Sequence, residues 1–140
     1  EFPRVLLARG KELARHEEKN SFGPFTFAKS IREALRIIRR IFPYSVHTSE
    51  TLGKFKRACF DFEVGLCPGI CIGVVTAREY QKTIRNIKLI FQGKMKNVFT
   101  NLKKEMRMAS KRLEFEKAGK LKRQLFALQH IQDVALITEQ

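Results

Sequence analysis

Apolar side chains recur at helical spacing in four stretches of this sequence, and those stretches set the architecture it predicts. Ile31, Ala34, Leu35, Ile38, Ile41 and Phe42 lie on one side of a helix spanning Phe27 to Phe42, with Lys29, Arg32, Arg36, Arg39 and Arg40 mostly opposite. Pro43 ends it, because proline disfavours helical geometry in the residue before it. A second helix is expected to start at Thr76-Ala77-Arg78-Glu79, a capping-box pattern, and to run with Tyr80, Ile84, Ile87 and Phe91 on one face until Gly93. Met95, Val98, Phe99, Leu102, Met106, Ala109 and Leu113 then form a stripe, followed by a corner at Leu113-Glu114-Phe115. A last row follows, of Ala118, Leu121, Leu125 and Leu128. Two stripes joined by a short corner predict an antiparallel helical hairpin. Such a hairpin buries one seam and leaves an apolar flank for a second hairpin, including another copy of itself when no partner is present.

The remaining stretches are less regular. Arg4 to Ala8 (RVLLA) is a short apolar run between Pro3 and Gly10 and predicts a strand. Arg9 to Asn20 is mostly charged and reads as a solvated arm, and Ser21 to Thr26 reads as a turn, since Gly23-Pro24 continues neither ladder nor helix. Few regular signals follow between Pro43 and Thr76. The expected class is therefore α+β and mostly α: a short N-terminal strand remnant and basic helix, a cysteine-rich irregular segment, then helices ending in the hairpin. The expected divisions are 1–44, 45–94, 95–132 and a tail, 133–140.

Charge narrows the partner. The chain carries 28 Lys+Arg against 14 Asp+Glu, a formal charge of +14, so a polyanion leads, with nucleic acid ahead of a membrane surface. No apolar run approaches the ~20 residues of a spanning helix and the start does not resemble a signal peptide, so a soluble, cytoplasmic protein is expected. From Arg78 to Arg123 there are 15 basic residues against four acids, so positive field and hairpin coincide. The basic stripe of the first helix suits phosphate contact; an ordinary solvated face is its plain alternative. The first residues, Glu1-Phe2-Pro3, contain no methionine, and the chain is read as a piece of something longer.

All three cysteines fall between Cys59 and Cys71, an odd and clustered set that fits reduced thiols better than a disulfide framework. Cys59, Cys67 and Cys71 with His47 can make a four-ligand cage. Gly65, Pro68 and Gly69 supply the turns, and Lys54, Lys56 and Arg57 would favour the thiolates. The spacing is not that of paired zinc knuckles, and an iron–sulfur cluster normally takes four thiolates where only three stand here, with His47 as the natural fourth ligand. Metal binding and free thiols stand about level on this chemistry, and Ser45, Asp61 and Glu63 are weaker ligand candidates. His16 and His130 are isolated and expected to face solvent. No triad, paired-carboxylate site or phosphate-binding glycine loop occurs in the chain, so no catalytic residue is assigned.

Several of these stretches together resemble a known family, UvrC, the incision subunit of the bacterial UvrABC excision nuclease. Phe2-Pro3-Arg4-Val5, Phe22-Gly23-Pro24-Phe25-Thr26 and Arg39-Arg40-Ile41-Phe42-Pro43 resemble the end of its GIY-YIG nuclease domain. Gly65-Leu66-Cys67-Pro68-Gly69-Ile70-Cys71 resembles its cysteine segment. Leu113-Glu114-Phe115-Glu116-Lys117-Ala118, with Leu121 and Lys122, resembles its UVR motif. The resemblance implies a non-catalytic middle portion of the subunit, with both nuclease sites outside this chain. It implies DNA contact, for which Arg32, Arg36, Arg39, Lys54, Lys56 and Arg57 are the candidates. It also implies docking of UvrB through Leu102, Met106, Leu113, Phe115, Ala118 and Leu121. Family members hold an iron–sulfur cluster on four cysteines; the last three match Cys59, Cys67 and Cys71, and the first falls on His47. A His-ligated cluster, a three-iron cluster, zinc or an empty site all stay open. The alternative function is a zinc-binding UVR-type adaptor that binds a chaperone or kinase and has no DNA role.

Overall fold

A computed structural model describes residues 2–8, 20–23, 28–47 and 56–130. The chain divides into two compact units, residues 1–87 and 88–140. Its described part is mostly helical: α1 (Ala28–Ile41), α2 (Phe60–Glu63), a 3-10 turn (Ile70–Ile72), α3 (Ala77–Phe91), α4 (Met95–Lys111) and α5 (Phe115–Gln129).

In the first unit, α1 buries Ile31, Ala34, Ile38 and Ile41 of the row its periodicity predicts, leaves Leu35 half-buried, and stops two residues before Pro43, with Phe42 buried just past its end. Arg32, Arg36 and Arg40 stand exposed on the other face. The strand expected at Arg4–Ala8 does not form: residues 2–8 carry no regular structure, and there is no strand among the described residues. A strand needs a neighbour to take its ladder hydrogen bonds; among the described residues this segment has none of the kind, and Leu6 and Leu7 stay exposed. It is held instead by Tyr80, whose hydroxyl donates to the Pro3 carbonyl and whose ring lies 5.9 Å from that of Phe2. The same hydroxyl accepts the buried Ser45 amide at 3.0 Å.

The capping box at α3 forms as expected. The Glu79 amide donates to Thr76 Oγ1 at 3.2 Å, and the Thr76 amide donates back to the Glu79 carboxylate at 3.4 Å. At the other end Gly93 takes a left-handed φ of 75°. The Lys94 amide reaches the Leu89 carbonyl at 2.9 Å and the Gly93 amide reaches Ile90 at 3.1 Å, closing a Schellman stop. The apolar row of α3 is Tyr80, Ile84, Ile87 and Ile90; Ile90, not Phe91, is its fully buried last member.

In the second unit α4 and α5 pack against each other. Ala118, Leu121, Leu125 and Leu128 are buried at alternating steps of three and four, the a/d spacing that keeps a seam on one side of a helix, and Val98, Leu102 and Ala109 are buried on α4. The corner at 112–114 is a second Schellman turn: the Glu114 amide donates to Ala109 at 2.9 Å and the Leu113 amide to Ser110 at 3.1 Å. Its left-handed position is filled by Leu113 (φ 62°), the one non-glycine residue of positive φ among the described residues. Leucine there costs roughly 1–2 kcal/mol that glycine would not. The expected arm at 9–20 lies outside the described residues except for Asn20, as do residues 131–140, which include the expected tail at 133–140.

Candidate metal centre and interaction surfaces

The cysteine segment is built from two short turns that periodicity could not reveal. After Cys59 the chain makes the single turn of α2, with the Phe62 and Glu63 amides donating to the Cys59 carbonyl at 3.1 and 3.3 Å. The Leu66 and Cys67 amides then both donate to the Asp61 carbonyl, at 2.7 and 3.0 Å, which folds the loop back on itself. Gly69 starts the 3-10 turn at φ 99°, a region L-residues avoid. A Cβ at this position would clash with Val74 Cγ2 and lie 2.9 Å from the Phe62 ring. This turn carries Cys71 round to face Cys67.

His47 joins them from the segment after α1, its amide donating to Ser45 Oγ at 3.0 Å. One donor atom each from His47, Cys59, Cys67 and Cys71 lies within 4.8 Å of all the others. Cys67 and Cys71 are buried and Cys59 and His47 half-buried, and none of the cysteines is in a disulfide. The four residues singled out from sequence spacing are therefore brought together. Soft thiolates with an imidazole suit zinc or iron, and no carboxylate among the described residues joins the set.

The Cys59 thiol is not held ionised by neighbouring bases, contrary to the sequence expectation. Burial pushes the Cys59 thiol up to about 11, a hydrogen bond to the Phe62 backbone pulls it back, and Cys71 and Cys67 push it further up. Lys56 and Arg57 are exposed, and Lys54 lies outside the described residues. A cation must therefore displace the Cys59 proton to bind there. Because the folded thiol titrates above its ordinary 9.0, the metal-free protein keeps this contribution to stability below about pH 9 and loses it as pH rises toward 11. The urea midpoint of chelator-treated protein is expected to fall across that window, and Cys59→Ser is expected to shrink the fall.

Arg39 does not share the exposed face of α1. Its guanidinium donates to Asp61 Oδ2 at 3.0 Å and to the Tyr44 carbonyl at 3.1 Å, and it lies 5.1 Å from the centroid of the Tyr44 ring. It clamps α1 to the loop between Cys59 and Cys67. That role left no periodic signal, because it depends on a residue 22 positions away. Arg32, Arg36, Lys56 and Arg57 are exposed; Arg40, one turn beyond Arg36, extends the row and is found by carrying the helical spacing forward. In the sequence Tyr80 stands only as one apolar position of the α3 row. Burial pushes its hydroxyl up to about 12, with the Cys67 charge adding to the shift and the Ser45 amide opposing it.

The docking candidates separate into two groups. Leu102, Ala118 and Leu121 are buried in the second unit and Met106 is half-buried. Leu113 and Phe115, flanking the corner, are 72% and 66% exposed, large apolar side chains offered to solvent. Phe126 is also exposed, its ring 4.2 Å from that of His130, and no helix among the described residues is long and apolar enough to cross a membrane.

Residues 1–90 match the family described as UvrC/Cho excinuclease, middle domain, and residues 96–131 match the UvrB/uvrC motif. Among individual proteins, the chain is 32% identical over 139 residues to UvrABC system protein C of Acaryochloris marina, covering 96% of this chain and 22% of that one. It is 35% identical over 131 residues to the protein of the same name from Carboxydothermus hydrogenoformans, covering 94% and 21%. With that of Yersinia pseudotuberculosis it shares 31% over 139 residues, covering 99% and 22%. The chain thus spans about a fifth of the length of these relatives. No solved structure matches it.

Proposed function

The chain belongs to the UvrC family, and from that premise we propose that it is the non-catalytic middle portion of the nuclease subunit in nucleotide excision repair. Its tasks in this reading are to contact DNA and to dock UvrB. The observation that carries it is the succession of the two family matches, 1–90 and 96–131, along one chain. A zinc adaptor without a DNA role would account for the second match and leave the first unexplained.

Each device follows from residues already placed. Arg32, Arg36 and Arg40 repeat along one exposed side of α1, and a row of guanidiniums suits bidentate phosphate contact. Lys56 and Arg57 add two further exposed cations in the same unit. The cage fixes the loop that follows them, and Arg39 on Asp61 holds that loop to α1. A metal there supplies cross-linking in place of a large core. At the far end of the hairpin, Leu113 and Phe115 are the docking pair, with α4 and α5 as their rigid support.

Neutralising about four phosphates should give a slope of roughly −3 to −4 in log affinity against log salt, a loss on the order of 100-fold between 50 and 200 mM. Fluorescence anisotropy on duplex DNA measures it. Arg32→Ala with Arg36→Ala should flatten the slope by roughly 2. A slope near zero in the unaltered protein overturns the DNA assignment.

A further inference from the structure

We propose that His47, Cys59, Cys67 and Cys71 form a site for a single zinc ion and not the seat of an iron–sulfur cluster. The proposal rests on reading these residues as a metal centre and deepens that reading by naming the metal.

The size of the cage carries the argument. Donor atoms all within 4.8 Å of one another lie at most about 2.9 Å from a common centre if they form a regular tetrahedron. Zinc holds thiolate sulfur at about 2.3 Å and imidazole nitrogen at about 2.0–2.1 Å, so its donors stand roughly 3.3–3.8 Å apart. Closing from the present spacing to that one takes side-chain adjustments of about an ångström or less. A four-iron cluster instead places each ligand on a different iron, with bridging sulfides between the irons. Its ligand atoms are separated by an iron–iron edge lengthened by two outward bonds, which the present cage does not span. Four irons and four sulfides also do not fit in a space whose corners are this close.

Opening the cage would be resisted by its surroundings. Cys67 and Cys71 are 4% and 2% exposed, so their sulfurs have no solvent to retreat into. Asp61 ties the Leu66 and Cys67 amides by its carbonyl and Arg39 by its carboxylate. Gly69 and its contacts with Phe62 and Val74 fix the turn between the last two cysteines. The donor set agrees with the size: three thiolates and one imidazole are a common closed tetrahedral zinc set, whereas the cluster's usual set is four thiolates.

The experiment is metal and acid-labile sulfide analysis of the full chain purified anaerobically, followed by titration of the metal-free chain with zinc, with cobalt(II), and with iron plus sulfide. The expected result is one zinc per chain without labile sulfide, and cobalt(II) saturating at one equivalent with the visible bands of a tetrahedral thiolate site. His47→Ala removes a direct ligand and should weaken zinc by more than the roughly 10–100-fold that loss of an outer-shell partner costs, read against a chromophoric chelator. Iron with labile sulfide, in the purified chain or after reconstitution, overturns the zinc assignment while leaving a metal centre in place. Iron alone without sulfide overturns it as well. A chain that takes up no metal in any arm overturns both the zinc assignment and the metal centre.

Discussion

Gly69→Ala is expected to dismantle the cysteine cage, destabilising the protein by roughly 2–4 kcal/mol and abolishing stoichiometric metal binding. Two costs combine. A φ of 99° is strained for any L-residue, and the added methyl would meet Val74 and Phe62. The second cost is specific to this glycine. Gly65 has a similar φ of 82° but nothing within 4 Å of a Cβ, so Gly65→Ala should cost only the strain, roughly 1–2 kcal/mol, and keep its metal. Urea unfolding with metal analysis on both variants measures the difference. Equal losses from the two would mean that close packing at Gly69 does not shape the cage.

The second large effect is at the hairpin corner. Phe115→Ala removes an exposed side chain, so stability should change by no more than about 0.5 kcal/mol and helicity should stay as it was. An aromatic anchor of an interface is typically worth about 2 kcal/mol or more, so affinity for UvrB should fall by at least roughly 30-fold. Leu113→Gly makes the sharper contrast. Relief of the left-handed strain, offset by the greater freedom of glycine in the unfolded chain, should raise hairpin stability by roughly 0.5–1 kcal/mol. Docking should weaken at the same time, because the exposed leucine is gone. A variant that folds better and binds worse marks the side chain as kept for contact. If Leu113→Gly binds UvrB as tightly as the unaltered chain, the assigned face is wrong.

What the sequence could reveal divides along physical lines. Long amphipathic stretches were legible, because α1, α4 and α5 each repeat one apolar row often enough for the period to emerge, and because Thr76, Glu79 and Gly93 are local signals that act locally. The four metal-ligand candidates were legible as residue types at suggestive spacing. Their convergence is expected from the turn residues Gly65, Pro68 and Gly69, but the one-turn helix and the 3-10 turn that achieve it are too short to show any period. The strand expected at Arg4–Ala8 is absent: apolar content says that a segment wants cover and says nothing of what supplies it. Here a tyrosine hydroxyl and ring hold the segment at Pro3 and Phe2. Arg39 looked like its neighbours on the basic stripe; only Asp61, far along the chain, sets it apart. Leu113 offered no signal as a strained residue, because a leucine at a helical corner reads as the last member of an apolar row.

Sedimentation of the full chain mixed with UvrB tests the central claim most directly. A 1:1 complex is predicted, lost in Phe115→Ala and retained in Arg32→Ala with Arg36→Ala. Failure to form a complex, or one indifferent to Phe115→Ala, would contradict the assignment of the hairpin corner as the docking surface.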